Sequence, residues 1–589
     1  MTQQGAATRL PSQLIERIKL AFLRLTGLSL VADENYLLVA ALIAGLTAGL
    51  GATSFLYCLR AVHAVFFGPV QDLLGWLGPS AVMFLPALGG LIVGPFVARF
   101  APEARGHGVP EVMTAVATRA GKISGRVAVV KILASALSIG SGGSAGQEGP
   151  MVQIGAAAAS AVGRRMRVSP QHMRTIVACG AAGGLAAVFN APIGGAMFAL
   201  EVITGELTPA FGAVILASVS ATVVSRWFFG NYPSFMVPRY DLVSNWELLL
   251  YALFGIVAGL VSVGFIRMSE SIESRFEHLQ VPARLKPALG GLLVGLIARF
   301  APQIMGTGST TIEAATWGRL LPLTLALLVP LKMLATSTTL GSGGSGGVFG
   351  PSMYIGAVLG GAFGWAVHAL LPASTAGSGA YALVGIGAVV GGTALAPLTA
   401  IILLFEMTDD YRIILPVMEA TVLSIVVVRA LVGESIYTLK LRQQNIPYYA
   451  GVELERARAA TAAQAMRTDI PPIGENTDVV AAMAMAARLR AEALPVVNDA
   501  GEVVGLVTMA RLAEAAAADP RPASIAEIAE RGDQLLAGTG ERLDAVLTRL
   551  GENEADALAV IASRDGKVPV GVIFRRDIMR IYERALRRT

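Results

Sequence analysis

Along most of this chain the apolar residues do not alternate with polar ones; they run on. Residues 36–59 carry no charged side chain, and a hydrophobic run of about 18 residues or more is a candidate membrane-spanning helix. Similar runs fill 207–225 and 248–265, a shorter one fills 320–331, and 413–428 is interrupted by Glu419. Other apolar stretches are too short or too rich in glycine to cross a bilayer alone. The runs lie between residues 36 and 435, and from 452 onward the pattern is that of an ordinary soluble domain. There, Leu494-Pro495-Val496-Val497, the polar Asn498-Asp499-Ala500-Gly501 and then 503–508 read as strand, turn, strand, with a helix from Met509. A weaker copy follows: 557–561, Arg564-Asp565-Gly566, 570–574, and a helix from Arg575.

Composition sharpens this division. The chain is 54% hydrophobic and 15% charged, against about 25% charged in soluble proteins. Its net charge of +5 comes from scattered basic residues, which argues against a nucleic-acid partner. Residues 1–30 set Arg9, Glu16, Arg17, Lys19 and Arg24 among apolar residues, the pattern of a basic amphipathic helix on a membrane face rather than a cleavable signal. Basic segments favour the cytoplasmic side, so residues 1–35 are expected there. Cys58 and Cys179 both sit in apolar segments and suggest neither a disulfide nor a metal site.

The membrane region repeats itself. Pro86-Ala87-Leu88-Gly89-Gly90 recurs as Pro287-Ala288-Leu289-Gly290-Gly291, and Ala98-Arg99-Phe100-Ala101-Pro102 as Ala298-Arg299-Phe300-Ala301-Pro302. Gly106-His107-Gly108 recurs as Gly306-Thr307-Gly308, and Lys131 as Lys332. The segment GSGGSAGQEGP at 140–150 matches GSGGSGGVFGP at 341–351 in eight of eleven positions. Ala191-Pro192 precedes Glu201 by the same interval as Ala396-Pro397 precedes Glu406. The expected architecture is a multi-pass α-helical membrane protein of two inverted repeats, about 80–230 and 282–435, with broken helices. A pore domain over 36–443, a linker over 444–459 and a small α/β domain over 460–589 complete the expected organisation.

Broken helices inside a membrane suggest an anion. Non-helical backbone is tolerated there only where protein buries it or water lines it. Each glycine loop ends in Gly-Pro and leads into an apolar stretch, 151–162 or 352–367; proline suits the first turn of a helix. Each loop should therefore present free backbone N–H groups at a helix start, which carries about half a positive charge. Such partial charges hold an anion weakly enough to release it. Between Ile132 and Gly163 the one charged residue is Glu148, inside the first loop. An ionisable group at that depth costs about 2.5–3.5 kcal/mol and is a functional hypothesis by default. Its carboxylate would compete with an anion for the same amides, and protonation would let it swing away. Glu148 is the candidate gate; a simple helix cap is the bland alternative.

These motifs resemble the CLC family of chloride channels and chloride/proton antiporters, from about residue 36 to the C-terminus. The residues concerned are Gly146-Gln147-Glu148-Gly149-Pro150, Gly347-Val348-Phe349-Gly350-Pro351, Gly106-His107-Gly108-Val109-Pro110-Glu111 and a late tyrosine, Tyr437. The resemblance implies a homodimer with a pore in each subunit, in an inner or plasma membrane with both termini cytoplasmic. It implies that Glu148 gates. It implies that the anion is held by the amides of Val348 and Phe349, those near Glu148 at Gly146, Gln147 and Gly149, the Tyr437 hydroxyl and residue 107. Two departures matter. His107 stands where the family usually has serine; an imidazole offers one or two N–H donors according to its protonation. Val202 stands where antiporters usually carry a second glutamate, and valine cannot carry a proton. A channel or uncoupled uniporter is therefore expected, with a proton-coupled antiporter as the alternative and Glu201 as a partner for helix ends.

The doubled unit at the C-terminus resembles a pair of CBS domains, which often bind adenine nucleotides through a hydroxyl and an aspartate three residues on. The first copy has Thr508 but Arg511, and the second has Asp577 but Phe574. The incomplete pattern argues against a nucleotide and leaves a dimerising platform, and no other cofactor is expected. Gly142-Gly143-Ser144-Ala145-Gly146 fits the spacing of a serine-hydrolase elbow, yet it recurs at 343–347 with no supporting Ser/His/Asp order. The chain does not read as an enzyme. A cation carrier would need several membrane carboxylates together, and Glu148, Glu201 and Glu406 lie in separate segments.

Overall fold

A computed structural model describes residues 32–205, 211–231, 237–238, 240, 242–408, 412–444, 446, 460–553, 555–562 and 567–587. The expected amphipathic segment at the N-terminus, nearly all of the linker and the turn at 564–566 lie outside these. The chain divides into two compact units between Tyr448 and Tyr449.

The first unit is helical. One half comprises α1 (Ala32–Val65), α2 (Ala81–Phe100), α3 (Val109–Thr118), α4 (Gly125–Gly140), α5 (Glu148–Arg165), α6 (Pro170–Phe189), α7 (Pro192–Phe198) and α8 (Phe211–Phe229). The other comprises α9 (Glu247–His278), α10 (Lys286–Ala298), α11 (Ser309–Thr316), α12 (Pro322–Gly341), α13 (Phe349–Leu370), α14 (Ser378–Ala394), α15 (Pro397–Thr408) and α16 (Ile414–Leu431), followed by the short α17 (Thr438–Gln443). Each helix of the first half has its counterpart eight places on. Among the described residues, eight helical stretches are long and apolar enough to cross a membrane. The charge-free runs 36–59 and 248–265 fall inside α1 and α9, as hydropathy requires.

The halves are related by a two-fold axis, and close backbone contacts at glycine give its direction. A β-carbon on Gly90 would stand 2.2 Å from the Pro287 carbonyl, and one on Gly291 2.2 Å from that of Pro86. Farther along α2, Gly94 faces Arg284 at 2.0 Å, and Gly295 of α10 faces Met83 at 2.0 Å. Advancing along α2 means retreating along α10, so the equivalent helices pack antiparallel. The axis is perpendicular to these helices, and equivalent positions in the two halves face opposite sides of the membrane. Only glycine permits backbones this close.

The helices after the glycine loops begin two residues before their prolines, so Glu148 is the first residue of α5 rather than part of the loop. Pro150 and Pro351 remain in the first turn, where no intrahelical donor is needed.

In the second unit the expected duplication is visible as topology. Strand β1 (Ile473–Gly474) pairs parallel with β2 (Ala493–Val497), which pairs antiparallel with β3 (Val503–Thr508); β4 (Glu530–Arg531) adds to that edge. In the second sheet β5 (Leu536–Gly538) pairs parallel with β6 (Ala557–Ile561), which pairs antiparallel with β7 (Pro569–Phe574). Helices begin directly after β3, at Met509, and after β7, at Arg575. Strands β2 and β6 are almost wholly buried, which explains their continuous apolar sequence.

Candidate functional site: two helix starts meeting at Glu148

The two glycine loops cross. The Gly146 N–H donates to the Gly347 carbonyl at 2.8 Å and the Gly347 N–H returns the bond to Gly146 at 2.7 Å. The Gly106 N–H donates to the Gly344 carbonyl at 3.0 Å, and the Ala145 N–H to that of Gly306 at 3.3 Å. The segments 104–106 and 304–306 that pair with these loops are each anchored by a fully buried lysine. The Lys131 ammonium donates to the Ala104 and Gly106 carbonyls at 3.0 and 2.8 Å; Lys332 donates to Ile304 and Gly306 at 2.9 and 3.1 Å. A buried ammonium is tolerable when backbone oxygens surround it, and these lysines hold non-helical backbone inside the membrane.

This crossing brings the start of α5 against the start of α13. Glu148 is 4% exposed. Its carboxylate accepts the Gly350 N–H at 3.0 Å and lies against its own amide. The acid of the first half thus sits on the helix start of the second, where the dipole and unsatisfied N–H groups favour negative charge. It borders a cavity of about 120 Å³ lined by Gln147, Phe189, Thr307, Ser309 and Met353 among others. From Phe189 in this lining runs a chain of aromatic rings: Phe189 and Phe349 have centroids 6.0 Å apart, Phe349 and Phe198 5.9 Å, and Phe198 and Tyr437 6.4 Å. Tyr437 is 2% exposed.

Most of the residues singled out in the sequence therefore converge. Gln147, Glu148, Gly149, Val348, Phe349 and Tyr437 surround one buried spot. The Gly146 amide is engaged by Gly347, which removes it from the donors open to an anion. Gly350 supplies the amide on which Glu148 rests, and the sequence reading did not include it. Thr307 and Ser309 were missed as well, although the correspondence of Gly306-Thr307-Gly308 to Gly106-His107-Gly108 carried the signal. In an inverted pair, Thr307 beside Glu148 places His107 on the opposite side of the crossing. His107 is 7% exposed and its Nδ1 has no hydrogen-bond partner.

The carboxylates behind the site cap helices reciprocally across the halves. Glu201 accepts the Leu398 and Thr399 N–H groups at 3.2 and 2.8 Å and the Thr399 hydroxyl at 2.7 Å. Glu406 accepts the Ile193 and Gly194 N–H groups at 3.0 and 2.6 Å. Each binds the start of the other half's short helix, α15 or α7. Glu406→Ala should lower stability by about 1–3 kcal/mol, the typical cost of an orphaned polar group. Thermal unfolding in detergent reads this out, and Glu406→Gln, which keeps one acceptor oxygen, should lose less. Val202, beside Glu201, is 5% exposed.

Other candidates are accounted for locally. Ser144 is fully buried; its hydroxyl pairs with that of Thr336 at 3.1 Å and its N–H donates to the Thr339 hydroxyl at 3.1 Å. In the second unit the Thr508 hydroxyl caps its helix by accepting the Arg511 N–H at 3.3 Å, and Arg511 pairs with Glu530 at 2.8 Å. Asp577 opens the last helix with Oδ2 buried and unpartnered.

Comparisons with known proteins bear on the family and the fold. The profile described as "Voltage gated chloride channel" matches residues 89–429, and that of the CBS domain matches 462–518. A putative ClcB-like chloride channel protein of Ralstonia nicotianae is 36% identical over 420 residues, covering 69% of this chain and 97% of its own length. The H(+)/Cl(-) exchange transporter ClcA of Vibrio campbellii is 34% identical over 436 residues, 70% of this chain and 92% of its own. The crystal structure of a slow cyanobacterial Cl-/H+ antiporter superposes with a TM-score of 0.63 at 28% identity, covering 69% of this chain and 98% of that one. The crystal structure of a eukaryotic CLC transporter, at 21% identity and TM-score 0.60, covers 92% of this chain and 98% of that one and shows the shared fold.

Proposed function

The chain belongs to the voltage-gated chloride channel family, a family of anion transporters and channels, and from that membership we propose that it passes chloride or similar small anions through a pore gated by Glu148, channel-like or only weakly coupled to protons. The observation that carries this reading is the Glu148 carboxylate resting on the Gly350 amide where two helix starts meet. An anion reaching that spot competes with the carboxylate for the same N–H groups. Beside the Gly350 amide, the amides of Gln147, Gly149, Val348 and Phe349, the Tyr437 hydroxyl and His107 are the donors proposed for the anion.

A proton-coupled antiporter is the second reading, favoured by relatives named as H(+)/Cl(-) exchange transporters. Against it stands Val202, a buried side chain with no titratable group. Reconstitution into liposomes separates the two. With chloride and protons recorded together, chloride efflux without stoichiometric proton uptake is the expected result; fixed-ratio uptake would establish the antiporter. A cation carrier is disfavoured because Glu201 and Glu406 are engaged as helix caps. A homodimer with one pore per subunit, a plasma or inner membrane location with both termini cytoplasmic, and a second unit acting as a dimerising platform complete the proposal. Thr508 and Asp577 would be the contacts of any adenine nucleotide bound there.

A further inference from the structure

Away from the pore, the charged residues of the first half are one-sided. Between Val112 and Leu200 the one acid is Glu148, buried at the crossing. The same stretch carries Arg119, Lys122 and Arg126 about the turn from α3 to α4, and Arg165, Arg167 and Arg174 about the turn from α5 to α6, all six exposed. Among the described residues none of these six side chains has an ion pair or a hydrogen bond. The lysine and arginine that remain in the stretch are engaged: Lys131 by two backbone carbonyls, Arg164 by the Ile123 carbonyl and the Ser160 hydroxyl. Glu111, at the far end of α3, acts on Lys131.

The two turns form one surface. The Ser160 hydroxyl, on α5, accepts the Ile123 N–H at 2.9 Å and donates to the Gly121 carbonyl at 2.8 Å. A β-carbon on Gly121 would stand 3.0 Å from the Met173 carbonyl, so the start of α6 closes on the same turn. Apolar exposed side chains border this surface. On α4, Arg126, Val129 and Leu133 are exposed at helical spacing, so one stripe runs from a cation into apolar side chains over about 10 Å. On α1 the Tyr36 hydroxyl donates to the Met166 carbonyl, and Leu38, Leu42 and Leu46 are exposed beyond it. Asp33 and Glu34 stand in that first turn of α1, two acids against six free cations. The equivalent surface on the opposite side of the membrane is of another kind. Its α11–α12 turn has one cation, Arg319, 4.8 Å from the Trp317 ring centre, beside exposed Leu321 and Leu323, and its α13–α14 turn has no charge between Leu371 and Gly377. Nor is every helix end on the basic side alike: α9, the counterpart of α1, ends there, and its Arg275 stands between Glu273 and Glu277.

We propose that this six-cation surface docks the headgroups of anionic phospholipids in the leaflet it faces. A guanidinium matches a phosphate with two parallel N–H bonds. Cations beside lipid-facing helix ends lie at headgroup depth, where each adds to the hold on an anionic lipid. The apolar stripes on α4 and α1 take the acyl chains, which a soluble anion lacks. An excess of cations favours the cytoplasmic side, so the lipids are those of the cytoplasmic leaflet. The seat lies at the far ends of α3 and α5, the helices that begin beside His107 and at Glu148. Docking there is independent of what crosses the pore.

The test titrates full-length protein in detergent with phosphatidylglycerol or phosphatidylcholine and reads bound lipid by native mass spectrometry. The wild type should bind phosphatidylglycerol in preference to phosphatidylcholine. Combining Arg126→Gln, Arg165→Gln and Arg167→Gln should weaken phosphatidylglycerol binding about tenfold or more, the joint loss of three surface cations. Lysine at the same three positions should keep most of the affinity. Combining Arg275→Gln, Arg284→Gln and Arg429→Gln, which removes as much charge on the same side, should leave binding at the wild-type level. Glycerol phosphate, a headgroup without acyl chains, should displace the lipid only weakly. Should the first triple variant fail to assemble, its three single variants should each lose about two- to fivefold. No preference for phosphatidylglycerol in the wild type, or unmoved binding in the assembled variants of the surface, overturns the proposal. So does an equal loss in the control triple, which would mean a diffuse field, or full displacement by glycerol phosphate at the lipid's own concentration, which would mean a site for soluble phosphate.

Discussion

Replacing Glu148 by glutamine should leave a pore that conducts anions at all pH values and no longer responds to acid. The reasoning starts from the bond to be lost. A carboxylate accepting a backbone N–H at a helix start is held by charge as well as by hydrogen bonding. On the proposed gating, this bond to the Gly350 amide and a permeating anion would exclude each other. Protonation discharges the carboxylate, so wild-type flux should rise as pH falls. Glutamine has nearly the same shape and no charge to lose. A hydrogen bond to a charged group contributes about 1.5–3 kcal/mol, so removing the charge should raise flux at neutral pH about tenfold or more. Chloride efflux from liposomes across the acid to neutral range measures this. A Glu148→Gln protein with the wild-type pH profile would refute the gate assignment.

Gly149→Ala should abolish transport by a different route. A β-carbon there would stand 2.2 Å from the His107 carbonyl oxygen and 3.0 Å from the Gly347 α-carbon. Both atoms are backbone, in segments tied by the Gly146–Gly347 and Gly106–Gly344 hydrogen bonds, so neither side has a flexible end to withdraw. Over-packing of this kind costs about 1–3 kcal/mol or more, and here it acts at the helix start that should carry the anion. The expected outcome is a protein that assembles poorly or carries no chloride, read by size-exclusion chromatography and efflux together. Gly264→Ala is the control. Its β-carbon would approach only the flexible end of Met333, at 3.5 Å, and alanine favours a helix over glycine, so flux and assembly should be unchanged. Wild-type flux from Gly149→Ala would show that the crossing is looser than its contacts require.

Much of this is legible in the sequence alone. Charge-free runs identified the long helices because a bilayer admits only apolar residues with internally bonded backbone. The duplicated GSGGS segments marked the broken helices because only glycine and proline interrupt a helix at that depth without stranding bulky side chains. The strand and turn pattern of the second unit was legible because β2 and β6 are short buried strands bounded by turns. Glu148 stood out because it is a lone acid within an otherwise uncharged stretch.

Other features depended on which residues meet across the axis. Lone acids at 201 and 406 look alike in sequence, and only the fold turns them into reciprocal caps on α15 and α7. The amide beneath Glu148 belongs to Gly350, 202 residues away, and no local pattern selects it over Val348 or Phe349. The amino-acid sequence by itself determined that the chain crosses a membrane in two related halves, breaks its helices at glycine and carries a single acid at the break, because hydropathy, glycine content and repetition are properties of neighbours along the chain. Tertiary structure alone decided which backbone N–H receives that acid and which helix starts Glu201 and Glu406 cap, because those depend on antiparallel packing about a two-fold axis, which brings together residues that the sequence keeps hundreds of positions apart.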